Sequence, residues 1–126
     1  MNFEIISTPK APAAIGPYSQ AVKVGNVIYT SGAIPVDPAS GEVVGGGVEK
    51  QAEQALKNLS EVLAGAGAKL ENVVKTTVFI KNMNDFATIN DVYKKFFTNN
   101  FPARSCVEVA RLPKDVLIEI ECIAEV

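Results

Sequence analysis

The proline at position 102 and the alternating segment that follows it constrain the fold of this 126-residue chain more than any other feature. Proline disfavours helical geometry in the residue before it, so a preceding helix must end by Phe101. From Arg104 onward the two-residue period of a β-strand places Arg104, Cys106, Glu108 and Ala110 on one face. The segment therefore predicts a strand that carries an arginine next to a thiol.

Arg104 is the first candidate functional residue. Its planar guanidinium group is well shaped to bind a small carboxylate through two parallel, charge-assisted hydrogen bonds. The alternative is an ion pair on the protein surface, which would contribute little to stability. The segment by itself does not distinguish these two roles.

Length and charge limit the classes of protein to consider. The length predicts one domain over residues 1–126. A net charge of −2 gives no basic surface for a nucleic acid or an anionic membrane, so we expect neither as a partner. The N-terminus does not resemble a signal peptide, and no apolar run is long enough to span a membrane. We therefore expect a cytoplasmic protein.

The chain has no histidine, the commonest general base and zinc ligand. Its two cysteines, Cys106 and Cys122, lie in alternating strand patterns and not at metal-ligand spacing. We interpret both as free thiols of a reducing compartment, and we expect neither a metal nor a cofactor. Acid–base chemistry is then left to carboxylates, tyrosines, the thiols or bound water.

The first part of the chain predicts a short strand, a loop and a β-hairpin. The strand covers residues 3–7, and the proline-rich loop 9–17 leads to Tyr18. The hairpin joins residues 21–24 to 27–31 around a Gly-Asn turn. It ends at Ser31 and Gly32, where backbone amides could face a ligand at close range; a simple turn is the alternative.

The middle of the chain predicts two helices around a central strand. Apolar residues at helical spacing indicate a helix over residues 48–64, which the glycines after it would end. The β-branched segment 73–80 predicts a strand. Asn84 or Asp85 would cap the second helix. On that helix Asn90 shares the apolar face, where its amide either ties down a neighbouring backbone or lines a site.

The last two strands are predicted to pair with each other as a hairpin. In the simplest register Cys106 lies opposite Glu121 and Arg104 lies opposite Ile123, while a slip by two residues places Arg104 opposite Glu121. Both registers predict one patch that contains Arg104, Cys106 and Glu121.

The order of elements predicts an α+β domain with its helices on one face of a mixed or antiparallel sheet. Leu117 and Ile123 would lie on the other face, which needs a cover. We expect a second subunit to cover it, so that pockets lie between the chains of a closed oligomer.

Five motifs, taken together, closely resemble the RidA (YjgF) family of imine/enamine deaminases, also called the L-PSP endoribonuclease family. The resemblance covers the whole chain. The motifs are Ala14-Ile15-Gly16-Pro17-Tyr18-Ser19-Gln20-Ala21, Tyr29-Thr30-Ser31-Gly32, Asn90-Asp91-Val92-Tyr93, Pro102-Ala103-Arg104-Ser105-Cys106-Val107 and Ile118-Glu119-Ile120-Glu121.

The resemblance implies a chorismate-mutase-like fold of the bacillus type and a homotrimer with three clefts between subunits. It implies hydrolysis of 2-imino acids, such as 2-iminobutyrate and 2-iminopropanoate, to 2-keto acids and ammonia. Arg104 would then bind the substrate carboxylate, and Glu121 would hold the attacking water. The residues implied to line the cleft or to bind substrate there are Tyr18, Ser31, Gly32, Asn90 and, chiefly through its backbone, Cys106.

This chemistry suits the available side chains. A protonated imine carbon is already electrophilic, so a carboxylate clamp, a positioned water and a proton acceptor are sufficient. Covalent catalysis by Cys106 is disfavoured, because no histidine can activate it and the expected carboxylate neighbour would raise its pKa. Two other functions remain open: a non-enzymatic regulator that binds metabolites in the same clefts, and an RNA-cleaving translation inhibitor.

Overall fold

A computed structural model describes residues 2–126 and contains six strands and two helices. The strands are β1 Phe3–Ile6, β2 Ala21–Val24, β3 Val27–Thr30, β4 Val73–Ile80, β5 Ala103–Glu108 and β6 Ile118–Glu125, and the helices are α1 Gly47–Gly65 and α2 Phe86–Phe96. Within residues 2–126, no helix combines the length and the apolar character needed to cross a membrane.

The strands form one mixed sheet in the order β1-β2-β3-β6-β4-β5. All neighbours are antiparallel except β4 and β5, which are parallel. Every second residue of β6, including Ile118 and Ile120, is buried in the hydrophobic core. Side chains of α1 and α2 form part of the same core. The predicted α+β fold, with both helices on one face of the sheet, is confirmed.

The local predictions for β2, β3, β4 and α1 are confirmed to within one or two residues. The predicted cap of α2, Asn84 or Asp85, is right in its position and wrong in its side-chain hydrogen bond. Asp85 occupies the N-cap position without a side-chain hydrogen bond. The side chain of Asn82 instead accepts a hydrogen bond from the backbone N–H of Asn84, one turn earlier. A 3₁₀ turn over Met83–Asp85 precedes the helix and moves the cap upstream.

The predicted hairpin between the last two strands is also wrong. β5 pairs with β4 in parallel, and β6 enters the sheet on the other side of β4. The segment β4–α2–β5 is a crossover unit, because a helix between two strands allows them to lie parallel. β6 then pairs along both of its edges, with β3 on one side and β4 on the other. It is therefore an interior strand of the sheet, and one of its faces is buried.

This pairing changes which residues share a face. Arg104 lies opposite Thr76 of β4, whereas Glu121 lies opposite Thr77. Successive residues of a strand point to opposite faces, so Arg104 is on the helix side of the sheet and Glu121 is on the open side. The predicted patch of Arg104, Cys106 and Glu121 therefore does not form within one chain.

The helix side of β4 contains a buried polar pair. The hydroxyl groups of Thr76 and Tyr93 lie 2.9 Å apart and form a hydrogen bond between β4 and α2. Thr76 is 0% exposed and Tyr93 is 6% exposed, so water cannot replace either partner. The bond fixes the ring of Tyr93, which also packs against Phe97.

We expect Tyr93→Phe to lower the free energy of unfolding by about 1–3 kcal/mol, because it leaves the buried Thr76 hydroxyl without a partner. Urea denaturation followed by circular dichroism measures the change. The double variant Tyr93→Phe/Thr76→Val is the control, because it removes both polar groups and should recover much of the loss. If Tyr93→Phe leaves the unfolding midpoint unchanged, the hydrogen bond is not stabilising.

Candidate ligand site

The structure separates the predicted site residues into two groups. The arginine half contains Arg104 and Cys106 of β5 with Asn90 of α2. The glutamate half contains Tyr18, Ser31, Gly32 and Glu121, together with Glu119, and lies where β3 ends beside β6. Arg104 and the two glutamates point to opposite faces of the sheet.

In the arginine half, the guanidinium group of Arg104 lies against α2. Its Nη1 donates a hydrogen bond of 2.8 Å to Oδ1 of Asn90. Its Cζ lies 5.3 Å from the ring centroid of Phe86 and 4.8 Å from that of Tyr93. Among residues 2–126, Arg104 forms no ion pair with a carboxylate. The remaining N–H groups of the guanidinium can therefore bind an external carboxylate.

This geometry resolves two alternatives. Arg104 does not form the surface ion pair, and Asn90 binds the guanidinium instead of a neighbouring backbone group. An amide oxygen accepts one N–H while adding no charge, so it holds the side chain without neutralising it. The arginine half thus keeps its full positive charge for a ligand.

Cys106 is two residues from Arg104 on the same strand and is partly buried. Burial raises the pKa of its thiol, and the positive charge of Arg104 opposes this shift. The predicted cause, a carboxylate neighbour, is wrong, because Glu121 lies on the other face of the sheet. A thiol with a raised pKa is protonated at neutral pH, which disfavours nucleophilic catalysis.

The glutamate half is a cleft of about 520 Å³. Its lining residues are Ile15, Tyr18, Thr30, Ser31, Gly32, Ile34, Pro113, Glu119 and Glu121. The backbone beyond β3 is fixed to β6, because Ala33 and Ile120 exchange two hydrogen bonds of 2.7 and 3.0 Å. The hydroxyl of Ser31 donates a 2.6 Å hydrogen bond to the carbonyl of Ser19, which holds the Tyr18 loop against the cleft.

Gly32 makes room for the carboxylate of Glu119. A Cβ atom on Gly32 would lie 1.7 Å from Oε2 of Glu119, far inside van der Waals contact. Glu119 is partly buried, and burial together with the negative charge of Glu121 raises its pKa. A carboxyl group in this state is a better proton acceptor than an ordinary glutamate.

Glu119 is the functional candidate that the sequence did not single out. It shares a strand face with Glu121, so alternation alone could not rank the two. The contact with Gly32 distinguishes them, and it depends on the pairing of β6 with the segment after β3. The sequence signal for Glu119 was the combination of a glycine at the end of one predicted strand with two alternating glutamates on another.

A second, largely apolar cavity of about 240 Å³ adjoins the cleft and shares Tyr18, Ser31 and Gly32 with it. The amide of Asn58, in its wall, already donates to the carbonyls of Ile34 and Val36. Within residues 2–126, no group of three or more His, Cys, Asp or Glu side chains is placed to hold a metal ion.

The sheet order and the position of both helices define a six-stranded α+β protein with a polar cleft beside its third strand. A family model described as endoribonuclease L-PSP matches residues 8–126. The chain belongs to this family, the same RidA (YjgF) family that its motifs resemble.

Individual members of the family are similar over almost the full chain. A 2-iminobutanoate/2-iminopropanoate deaminase of Homo sapiens is 58% identical over 120 residues, which cover 95% of this chain and 88% of the human chain. The E. coli YjgF structure is 58% identical with a TM-score of 0.93 and covers 97% and 98% of the two chains. E. coli TdcF with bound serine is 51% identical with a TM-score of 0.94, and 98% of each chain is covered.

Proposed function

We propose that this protein hydrolyses small 2-imino acids, 2-iminobutanoate and 2-iminopropanoate, to 2-keto acids and ammonia. The observation that carries the proposal is the 58% identity, over 95% of this chain, to the human deaminase for these two compounds. The geometry supports it, because Arg104 keeps free N–H groups for a small carboxylate. The serine bound to E. coli TdcF is a ligand of the same size and charge type.

The active site is completed by a second copy of the chain. Arg104 and Glu119 lie on opposite faces of one sheet, so a ligand cannot contact both within one chain. A heterologous contact that places the arginine half of one subunit on the glutamate half of the next closes into a ring. In a trimer, three such contacts give three equal sites. Exposed Tyr29 and Val107 on the open face of the sheet supply apolar surface for the assembly.

The two halves divide the chemistry. Arg104 binds the substrate carboxylate and orients the imine carbon towards the glutamate half. Glu119 accepts a proton from water as the water oxygen bonds to that carbon, and it returns the proton to the amine nitrogen. As the C–N bond breaks, Glu119 accepts the proton of the new hydroxyl group, so ammonia leaves and the 2-keto acid remains. Tyr18 and Ser31 line the cleft of the glutamate half, Asn90 holds the guanidinium group of Arg104, and Cys106 contributes its backbone.

We assign the role of holding the attacking water to Glu119. The family resemblance had suggested Glu121 for this role. Both carboxylates line the cleft, but Glu119 is the one packed against Gly32. Its raised pKa also makes it a better proton acceptor than an ordinary glutamate. Glu121 then acts on the reaction through its charge, which raises the pKa of Glu119.

The cytoplasm is the compartment that suits the protein best. Cys106 and Cys122 are both free thiols, which persist in reducing compartments. Small imino and keto acids and further copies of the chain are its partners. The net charge of −2 does not favour a nucleic acid.

We expect Gly32→Ala to lower kcat by about 10²-fold, because the new Cβ displaces the carboxylate of Glu119 from its position. The displaced atoms belong to the end of a flexible side chain, so the unfolding midpoint should change little. Gly45→Ala is the matched control, since a Cβ there meets no atom within 4 Å. Full activity in Gly32→Ala would show that the position of Glu119 is not important.

The proposed function is tested with a freshly generated imine. A threonine dehydratase produces 2-iminobutanoate in situ, and semicarbazide traps the imine that survives. The protein should divert the imine to 2-ketobutyrate and reduce the trapped product. Binding of 2-ketobutyrate without turnover would indicate a regulator instead, and RNA cleavage that survives Arg104→Lys would support a nuclease.

A further inference from the structure

Three residues of α2 form a stripe under the guanidinium group of Arg104. Phe86, Asn90 and Tyr93 are spaced by four and three residues and so lie on one side of the helix. Asn90 accepts one N–H of the guanidinium, and the Cζ of Arg104 lies over both aromatic rings. Arg104 itself comes from β5, an edge strand of the sheet.

Phe86 differs from the apolar residues of α2 that are buried in the core. Ile89 and Val92 are 2% and 1% exposed, whereas Phe86 is 36% exposed. A core role therefore explains Ile89 and Val92 but not Phe86. Its ring faces the guanidinium at 5.3 Å, within the range of an attractive cation–π contact.

The three contacts restrict different motions of the guanidinium. Tyr93 is itself fixed by its hydrogen bond to Thr76, so its ring offers a rigid surface. Asn90 fixes the position of Nη1 by its hydrogen bond, and the two rings, at 5.3 and 4.8 Å from Cζ, limit the space in which the rest of the guanidinium group can move. A carboxylate can form two parallel hydrogen bonds only with N–H groups that lie in one plane and point the same way.

We propose that Phe86 is a positioning residue, which acts through Arg104 to present the free N–H groups of the guanidinium to the substrate carboxylate. This inference rests on the proposed function, in which Arg104 binds that carboxylate. Phe86 does not touch the reacting atoms, so its effect falls on substrate binding and not on the chemical step. The ring, and not its bulk alone, provides the effect.

The test compares Phe86→Leu with wild type. We expect the dissociation constant of 2-ketobutyrate, measured by calorimetry, and KM for 2-iminobutanoate each to rise about 10-fold, with kcat nearly unchanged. Phe86→Tyr, which keeps an aromatic ring, should have nearly the wild-type dissociation constant and KM. Phe3→Leu is the matched control, because Phe3 is 38% exposed and lies on β1 at the other edge of the sheet.

A double-mutant cycle separates action through Arg104 from direct contact with the ligand or a neighbouring subunit. With Arg104→Met as the background, Phe86→Leu should leave kcat/KM unchanged, because the group that it positions is absent. An equal loss in both backgrounds would overturn the proposal. Unchanged ligand binding and KM in Phe86→Leu alone would also overturn it.

A spectroscopic readout keeps this inference distinct from the proposed function. Ring currents of Phe86 and Tyr93 should shift the Nε–H signal of Arg104 in the ¹⁵N–¹H spectrum of the ligand-free protein. Phe86→Leu should move that signal towards its ordinary position, and Phe86→Tyr should not. If wild type fails to hydrolyse the imine, the proposed function is wrong, while this signal still decides whether Phe86 positions Arg104.

Discussion

Arg104→Lys is expected to lower kcat/KM for 2-iminobutanoate by about 10²-fold or more. Lysine keeps the positive charge but loses the planar pair of N–H donors, and it cannot reproduce the geometry of the Arg104–Asn90 contact. The substrate would then be held through one point and misaligned with the glutamate half. The imine-trapping assay gives the rate, and calorimetry with 2-ketobutyrate gives the binding.

The matched control for this variant is Arg111→Lys. Arg111 pairs with Asp115 on the exposed turn after β5 and is outside both halves of the site. It should retain wild-type activity. If Arg104→Lys binds 2-ketobutyrate as tightly as wild type does, Arg104 is not the carboxylate clamp.

The second large effect is expected for Glu119→Gln, which should lower kcat by about 10²-fold or more while 2-ketobutyrate still binds. Glutamine keeps the shape of the side chain and can contact water, but it cannot accept a proton. In the proposed mechanism keto-acid binding depends on the arginine half, so it should change little. Loss of that binding in Glu119→Gln would contradict the division of roles.

Glu121→Gln is expected to behave differently and to change the pH dependence. In the proposed mechanism activity requires ionised Glu119, so it falls as the pH drops through the pKa of that group. Burial and Glu121 hold this pKa above its ordinary value of 4.5, so activity should begin to fall at a higher pH than for an ordinary glutamate. Removing the charge of Glu121 lowers the pKa of Glu119, so the acid limb of kcat/KM should move to lower pH.

The activity of Glu121→Gln shows which of the two glutamates holds the attacking water. Most of the kcat at neutral pH should remain, with the acid limb displaced. If instead Glu121→Gln abolishes turnover and Glu119→Gln does not, Glu121 holds the water, as the family resemblance suggested.

Local structure was predictable because it depends on neighbouring residues. The β-branched segment predicted β4, the Gly-Asn turn predicted the β2–β3 hairpin, and the helical period predicted α1. Each of these signals lies within a single stretch of chain. Arg104 and Cys106 were also placed correctly on one strand face by alternation alone.

Strand pairing was not predictable in the same way. Consecutive strands often form hairpins, but the β4–α2–β5 crossover places β5 at the edge and leaves β6 to pair with β3 and β4. Local alternation contains no information about which strand lies on the other side of β4. The error moved Glu121 to the wrong face relative to Arg104 and hid the division of the site into two halves.

The side-chain contacts of the site follow from this long-range pairing. The hydrogen bond between Arg104 and Asn90 requires β5 to lie beside α2. The contact between Glu119 and Gly32 requires β6 to lie beside the end of β3. The motifs identified most of the participants, but only the sheet order shows which of them meet.

Complementation between two inactive variants tests most directly whether each site is shared by two subunits. Arg104→Lys and Glu119→Gln, differently tagged, are unfolded together, refolded and purified as mixed oligomers. A site is intact where an unaltered arginine half meets an unaltered glutamate half, so each purified mixed trimer has one intact site of three and should show about a third of wild-type activity. Mixing Arg104→Lys with the Arg104→Lys/Glu119→Gln double variant should restore none. Mixed oligomers no more active than the sum of the two separate variants would contradict a shared site.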